Sequence, residues 1–339
     1  MAQTTFSEAD LMADRDYARE HVVATHRLHG GFDETGRYIP PRSRFRPQAI
    51  EAWTESLRAR GGDLLAADAS LLAGQRYPTV AQSKLLLLHG LGQSFWNSLT
   101  ITGKIEARGR VLAEMPFPDL QDLAVEDVSE MAIGHLNGGL LKAHGFDEGG
   151  EPARGIGGHD VMWFAARDLA FGAGAYPDVD PPERIGRAGA PREVPEIPEN
   201  FEGMLRFLMN LLLIEFRAEL GFASSEQLLR DVDLFQDRRA AADEAADVID
   251  RIRRDEEIHV TSLRLCLGEL RHLDLRTLDG GQKPGAEVID PMWDRLVQWA
   301  TVEQPKLQAE EQRKVYRDRI LGHEDGERIL AEFEALAGS

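Results

Sequence analysis

The sequence predicts an all-α fold, a helical bundle with further helices at its N- and C-terminal ends. Three observations carry this. Apolar residues recur at helical spacing in nearly every segment. No run of alternating β-branched residues bounded by hairpin turns stands out. The breaks between periodic stretches fall at proline and glycine clusters, as at Pro116 and Pro118.

At 339 residues the chain can form one large domain or two modest ones and bury a sizeable core. Its 58 acidic residues against 39 basic ones leave a net charge of −19. That balance repels phosphate backbones and anionic lipid, so neither nucleic acid nor a membrane surface is an expected partner. Cys266 is the only cysteine, which excludes an internal disulfide and a cysteine-based zinc site. The longest apolar runs, 85–88 and 211–214, fall far short of the ~20 residues that a membrane span requires. The first residues do not read as a secretory leader. The expectation is a cytoplasmic enzyme or binding protein.

Taken in order, residues 1–80 read as a partly helical extension, with helices near 7–28 and 47–60 around a turn-rich stretch. His21, His26 and His29 lie close together there. Only His26 and His29 share a helical face, and no acid accompanies them, so they read as surface histidines. A long helix is expected over 79–112 and another over 119–145, as antiparallel neighbours joined by the turn at Pro116 and Pro118. A shorter helix spans 159–171. Residues 176–199 hold six prolines and form an extended connection. An apolar helix follows from 200 to about 220, ended by Gly221, with Ser224 and Ser225 able to cap the next element. A long helix covers 240–272, and the tail reads as two or three amphipathic helices. The division is therefore 1–80, an N-terminal extension; 81–273, the bundle; and 274–339, a C-terminal helical extension.

The chemistry-bearing stretch is Arg254 to Val260. Glu256 and His259 are three apart and project from one helical face. Ile249, Ile252, Val260, Leu263 and Leu270 lie on the same stripe, so an acid and a histidine sit on the face that faces the core. Glu215 similarly shares its face with Leu208, Leu211 and Leu212. Buried carboxylates are costly unless paired, protonated or bound to metal. A cation held by Glu215, Glu256 and His259 would satisfy all three; the other reading pairs Glu215 with Arg206 or Arg217. A glutamate from one helix and Glu-x-x-His from the next is half of the di-metal carboxylate pattern.

With those residues in view, the chain resembles the ferritin-like superfamily, and within it a bacterial group of ferritin-like domains distantly akin to di-iron tRNA hydroxylases. His159-Asp160 followed by Trp163, Glu215 within Ile214–Arg217, and Asp255-Glu256 followed by His259-Val260 look like that group's segments in the same order. The resemblance covers roughly 81–273 and implies a ferritin-like four-helix bundle. It also implies a Glu-x-x-His on the second helix, where this chain has Glu130 followed by Ile133. His135 lies nearby but about 140° around the helix. On the first helix the expected glutamate falls near Phe95 and Trp96. Glu106 further along that helix is one substitute, and His89 with Gln93 another.

The expected ligands are thus Glu130, Glu215, Glu256 and His259, with Glu106 or His135 as rearranged additions. His159 and Asp160 are expected just behind them, with Asp160 partly a helix cap. The resemblance implies one or two iron ions, or manganese. The expected function is a non-haem iron oxygenase or oxidase, di-iron or mononuclear, that uses dioxygen on a small organic substrate, with a homodimer allowed. The other reading is a degenerate bundle without metal that binds a ligand or serves as a scaffold.

Overall fold

A computed structural model describes residues 5–73, 77–183 and 191–338. The fold is largely all-α, with eleven α-helices and two small antiparallel sheets among the described residues. No helix among them is long and apolar enough to cross a membrane.

The N-terminal segment departs from the helical expectation. After the single turn α1 (Glu8–Leu11), the chain forms strands β1 (Arg19–Val23), β2 (His26–Phe32) and β3 (Tyr38–Ile39), in that order in one antiparallel sheet. Val23 pairs with His26 across a two-residue turn whose Ala24 has a φ of 51°. The hairpin turns His21 and His29 inward, at 0% and 5% exposure, and leaves His26 outside. The surface reading therefore holds for His26 alone. Burial lowers the pKa of His21 to about 4. Its Nδ1 donates to the His29 carbonyl at 2.9 Å, and its Nε2 lies 3.0 Å from Arg251 NH1.

Helix α2 (Arg46–Ala59) follows. The single helix expected over 79–112 is two, α3 (Val80–Leu88) and α4 (Gln93–Gly109). Thr79 and Gln82 cap α3 reciprocally. Gly90, at a φ of 72°, breaks the run in the left-handed region that favours glycine. The helix expected over 119–145 is mostly absent. Between 120 and 136 only two short 3₁₀ turns form, Leu120–Asp122 and Ala132–His135, and α5 covers only Leu141–Gly149. Two long-range ties hold that segment out of a helix. Val125 N–H donates to the Asp274 carbonyl, and Glu269 accepts from the N–H groups of Ala132 and Ile133.

Helix α6 spans His159–Phe171, as expected. The proline-rich connection forms no helix or strand among its described residues before 199, and 184–190 lie outside those described. Helix α7 (Glu199–Arg230) runs through Gly221 rather than ending there. Phe222, Leu228 and Leu229 are buried and hold the extra turns, and Ser224 bonds back to the Leu220 carbonyl instead of capping. Helix α8 (Arg239–His272) packs along α7. The hairpin of β4 (Asp274–Arg276) and β5 (Gln282–Pro284) then leads into α9 (Gly285–Gln298), α10 (Gln304–Leu321) and α11 (Gly326–Ala335).

Two large apolar clusters fill the interior. One joins α2, the 120–141 segment, α9 and parts of α7 and α8 through residues such as Trp53, Leu212 and Leu263. The other joins α4, α6 and the remaining parts of α7 and α8 through Leu99, Met162, Phe222 and Ile252. Along α7, Glu215 falls between Leu212 and Phe222; along α8, Glu256 and His259 fall between Ile252 and Leu263. A buried polar layer thus separates two apolar ones.

Candidate metal centre

Five helices feed that layer. Glu106 comes from α4, His144 and Glu148 from α5, His159 from α6, Glu215 from α7, and Glu256 with His259 from α8; all are buried. On α5, His144 and Glu148 are four apart and share the stripe of Leu141. Gly109 makes room for Glu148, because a Cβ there would lie 2.7 Å from its Cγ.

The seven side chains form two groups that share Glu148. His144, Glu148, Glu215 and His259 make one; Glu106, Glu148, His159 and Glu256 make the other. Within each group one donor atom per residue lies within 4.8 Å of every other. His144 Nε2 lies 3.0 Å from Glu215 Oε1, and His159 Nδ1 lies 3.0 Å from Glu256 Oε1. His259 Nδ1 lies 2.6 Å from Glu256 Oε2 and 3.3 Å from Glu148 Oε1. The His144 and His259 rings stack, with centroids 3.8 Å apart.

Several of these short contacts are not hydrogen bonds. His144 Nε2, Glu148 Oε1, His159 Nδ1 and Glu256 Oε1 are all buried without a hydrogen-bond partner. Atoms that approach to 3.0 Å without aiming at one another have the relation of ligands around a common centre. Native proteins leave few buried polar atoms unsatisfied, so four in one layer call for a proton or a cation among them. Charge makes the same demand. Among the described residues no lysine or arginine pairs with Glu106, Glu148, Glu215 or Glu256. An uncompensated buried carboxylate costs several kcal/mol, and a whole fold is stable by only about 5–15 kcal/mol. Either protons or cations must therefore fill this layer.

Without a cation, protons do so. Burial, and then the Glu148 charge, push the Glu106 carboxyl well above its usual range. Burial also raises Glu148, but the closeness of Glu106 and the three histidines outweighs that and holds it well below. Burial, and then the Glu256 charge, raise Glu215 to about 7. Burial disfavours charge on His159 and His259, yet Glu256 and the neighbouring carboxylates hold both well above the ordinary histidine value. Carboxylate and imidazole donors in this ratio suit iron, manganese or zinc.

Behind the centre stand two further acids. Asp147 Oδ2 lies 2.9 Å from His259 Nε2, and Asp255 Oδ2 lies 3.3 Å from His159 Nε2. Both histidines thus turn one nitrogen to the centre and the other to a carboxylate, an arrangement that fixes tautomer and ring orientation at metal sites. Asp147 is held by Arg42 and Arg46, each at 2.6 Å. These arginines, with burial opposing them, keep its carboxyl well below the usual range.

The structure brings together Glu106, Glu215, Glu256 and His259 from the sequence-predicted set. His159 faces the centre directly rather than standing behind it. Asp160 caps the start of α6, where its Oδ1 accepts from Val161 N–H at 2.7 Å and Gly158 N–H at 3.2 Å. Glu130 and His135 stand elsewhere, because the segment carrying them is not helical. Glu130 is exposed and accepts from Thr5 Oγ1 at 3.3 Å. His135 is buried against Trp53, with ring centroids 4.7 Å apart, and its Nδ1 is 2.8 Å from the Met131 carbonyl. Of the other substitutes, His89 is the C-cap of α3 and Gln93 the first residue of α4. Arg206 bonds Glu202 and Arg217 bonds Gln304, so neither is the partner of Glu215. His144, Glu148, Asp147 and Asp255 were not foreseen.

A cavity of about 590 Å³ lies apart from the centre, lined in part by Phe95, Arg217, Leu220 and Tyr316. Arg217 is two residues from Glu215 and so projects about 200° away around α7. That cavity borders the outer face of α7. Compared with family models, curated proteins and solved structures, the chain matches none.

Proposed function

We propose that this chain is a di-metal carboxylate oxidoreductase, with iron as the working metal and a small organic molecule as substrate. The observation that carries the reading is the convergence of buried, hydrogen-bond-orphaned atoms from His144, Glu148, His159 and Glu256 on one layer. His144, Glu215 and His259 would hold one ion; Glu106, His159 and Glu256 would hold the other; Glu148 stands between and can serve both. An iron pair bound there would supply two of the electrons that reduce dioxygen, with two more from the substrate, and an external electron donor would return the pair to the ferrous state.

The residues of the chain do the rest. Asp147 and Asp255 fix the rings of His259 and His159. The apolar clusters on either side exclude water, which keeps reactive species from being quenched. Four glutamates give the centre enough negative charge to neutralise two divalent ions. A degenerate, metal-free bundle would have to neutralise this layer with protons alone, on Glu106, Glu215 and the histidines.

The test is metal analysis of the full chain expressed with added iron, followed by dioxygen uptake of the reduced protein. About two irons per chain, lost in Glu148→Ala, with dioxygen consumed, supports the reading. A folded protein that takes up neither iron nor manganese overturns it.

A further inference from the structure

A second cluster stands behind the centre, on the far side of His159. Asp255 Oδ2 is 3.3 Å from His29 Nε2 and 3.3 Å from His159 Nε2. The three side chains are at most 3% exposed. Tyr38 donates its hydroxyl to the same Oδ2 at 2.9 Å and fixes the carboxylate. His29 stands edge-on to His159, with centroids 5.0 Å apart.

The groups here are under-satisfied. Neither ring nitrogen of His29 has a hydrogen-bond partner, and Asp255 Oδ1 has none. His29 Nε2 approaches the carboxylate but misses hydrogen-bond alignment. A histidine buried to this degree with both nitrogens unpaired is rare, since each orphaned polar atom costs about 1–3 kcal/mol. The spacing offers a reason. Ligands at ~2.0 Å from a tetrahedral ion are ~3.3 Å from one another. Both nitrogen-to-oxygen distances match that edge.

We propose that His29, His159 and Asp255 form a third cation site, separate from the paired centre, for a zinc-type divalent ion. Two imidazole nitrogens and one carboxylate oxygen are a familiar zinc donor set, with the fourth position left for water. His159 serves both sites, Nδ1 toward the paired centre and Nε2 toward the third ion. With both positions metallated the ring would give up the Nε2–H that otherwise bonds Asp255 Oδ2 and bridge as an imidazolate.

The site has a structural consequence. His29 belongs to β2, His159 to α6 and Asp255 to α8, so one ion ties the N-terminal sheet to two helices of the bundle. Beside it stand backbone bonds, from His29 N–H to the Gly157 carbonyl and from Gly157 N–H to the Arg27 carbonyl, both 2.9 Å, and the side-chain contacts of Tyr38 with Asp255 and of His21 with Arg251. Loading the third ion therefore rigidifies residues 19–39.

The experiment titrates zinc alone into the full chain stripped with chelator. It counts bound ions and follows hydrogen exchange of residues 19–39. The wild type is expected to bind about three zinc ions, and His29→Ala and His29→Gln about two. Exchange in 19–39 slows on loading only in the wild type. Two ions in the wild type and two in both variants, with equal exchange, overturns the third site and leaves the paired centre standing. One ion lost in His29→Gln but kept in Glu148→Ala supports the third site and removes the paired one. If His29→Ala does not fold, the His29→Gln count and the zinc-induced protection of the wild type still decide.

Discussion

Asp147 Oδ2 lies 2.9 Å from His259 Nε2, and the same carboxylate binds two buried arginines. This single acid therefore couples the centre to Arg42 and Arg46 at the start of α2 and just before it. Without a cation His259 Nδ1 bonds Glu256 Oε2 at 2.6 Å; with a cation bound and Nε2–H committed to Asp147, Nδ1 would be the ligand atom. Asp147→Asn keeps the shape but lowers the charge and lets the amide compete for the other tautomer. Metal affinity should fall by about 10- to 100-fold, measured by competition with a chelator of known affinity. Unchanged affinity would mean that Asp147 serves only to hold the arginines.

Glu106 and Glu130 separate two accounts of the first half of the centre. Glu106 sits among the donors; Glu130 is on the surface beside Thr5. Glu106→Ala should lose about half of the bound metal, while Glu130→Ala should match the wild type. Equal metal loss in both variants would show that the 120–136 segment rearranges on loading.

Which parts of this centre were legible follows from where periodicity was strong. Helices α6 and α8 and most of α7 announce themselves through long apolar stripes, and an acid on such a stripe stands out. Glu215, Glu256 and His259 were therefore visible. Helix α5 has nine residues, between Gly138-Gly139 and Gly149-Gly150, too short for its stripe to register. The readable signal was His144 and Glu148 at i and i+4 beside Leu141. Glu130 reads as the second-helix motif because the chain from 119 carries helical periodicity. Long-range ties from Glu269 and Asp274 override that local preference, and no local pattern reports them. Asp255 was hidden by its neighbour: adjacent helical residues point about 100° apart, so Asp255 faces the N-terminal sheet while Glu256 faces the centre. The sheet itself was missed because its strands are short and rich in histidine and glycine.

Glu269 gives stability a pH dependence whose sign is fixed. It is about nine-tenths buried, and burial raises its carboxyl to about 7, against the lowering effect of the Ile133 and Ala132 N–H groups. A carboxyl with a raised folded-state pKa keeps its proton after the unfolded chain has lost it. Its contribution is complete below pH ~4.5 and is lost as pH rises to about 7, by up to about 3 kcal/mol. Glu269→Gln removes that titration and leaves one N–H poorly paired, at a cost of about 1–3 kcal/mol. The variant should be clearly less stable than the wild type at pH 5, with the gap closed or reversed by pH 8. Urea melts at both values measure this, and a constant gap would refute it.

Gly285 marks where the C-terminal helices dock on the bundle. A Cβ there would lie 1.8 Å from the Leu270 carbonyl oxygen, a backbone atom that cannot turn aside as a side chain can. Gly285 N–H also donates to the Leu273 carbonyl at 2.7 Å, so the start of α9 is held directly against the end of α8. Gly285→Ala must push these two backbones apart. That strains the packing of Val288 and Ile289, both 0% exposed, against Leu270 and Leu273. Overpacking of this kind costs about 1–3 kcal/mol and more where backbone is involved. The variant should unfold at lower urea while keeping its metal content, because Glu256 and His259 lie three or more turns away along α8. Loss of metal together with stability would instead show that docking of α9 sets the position of the α8 ligands.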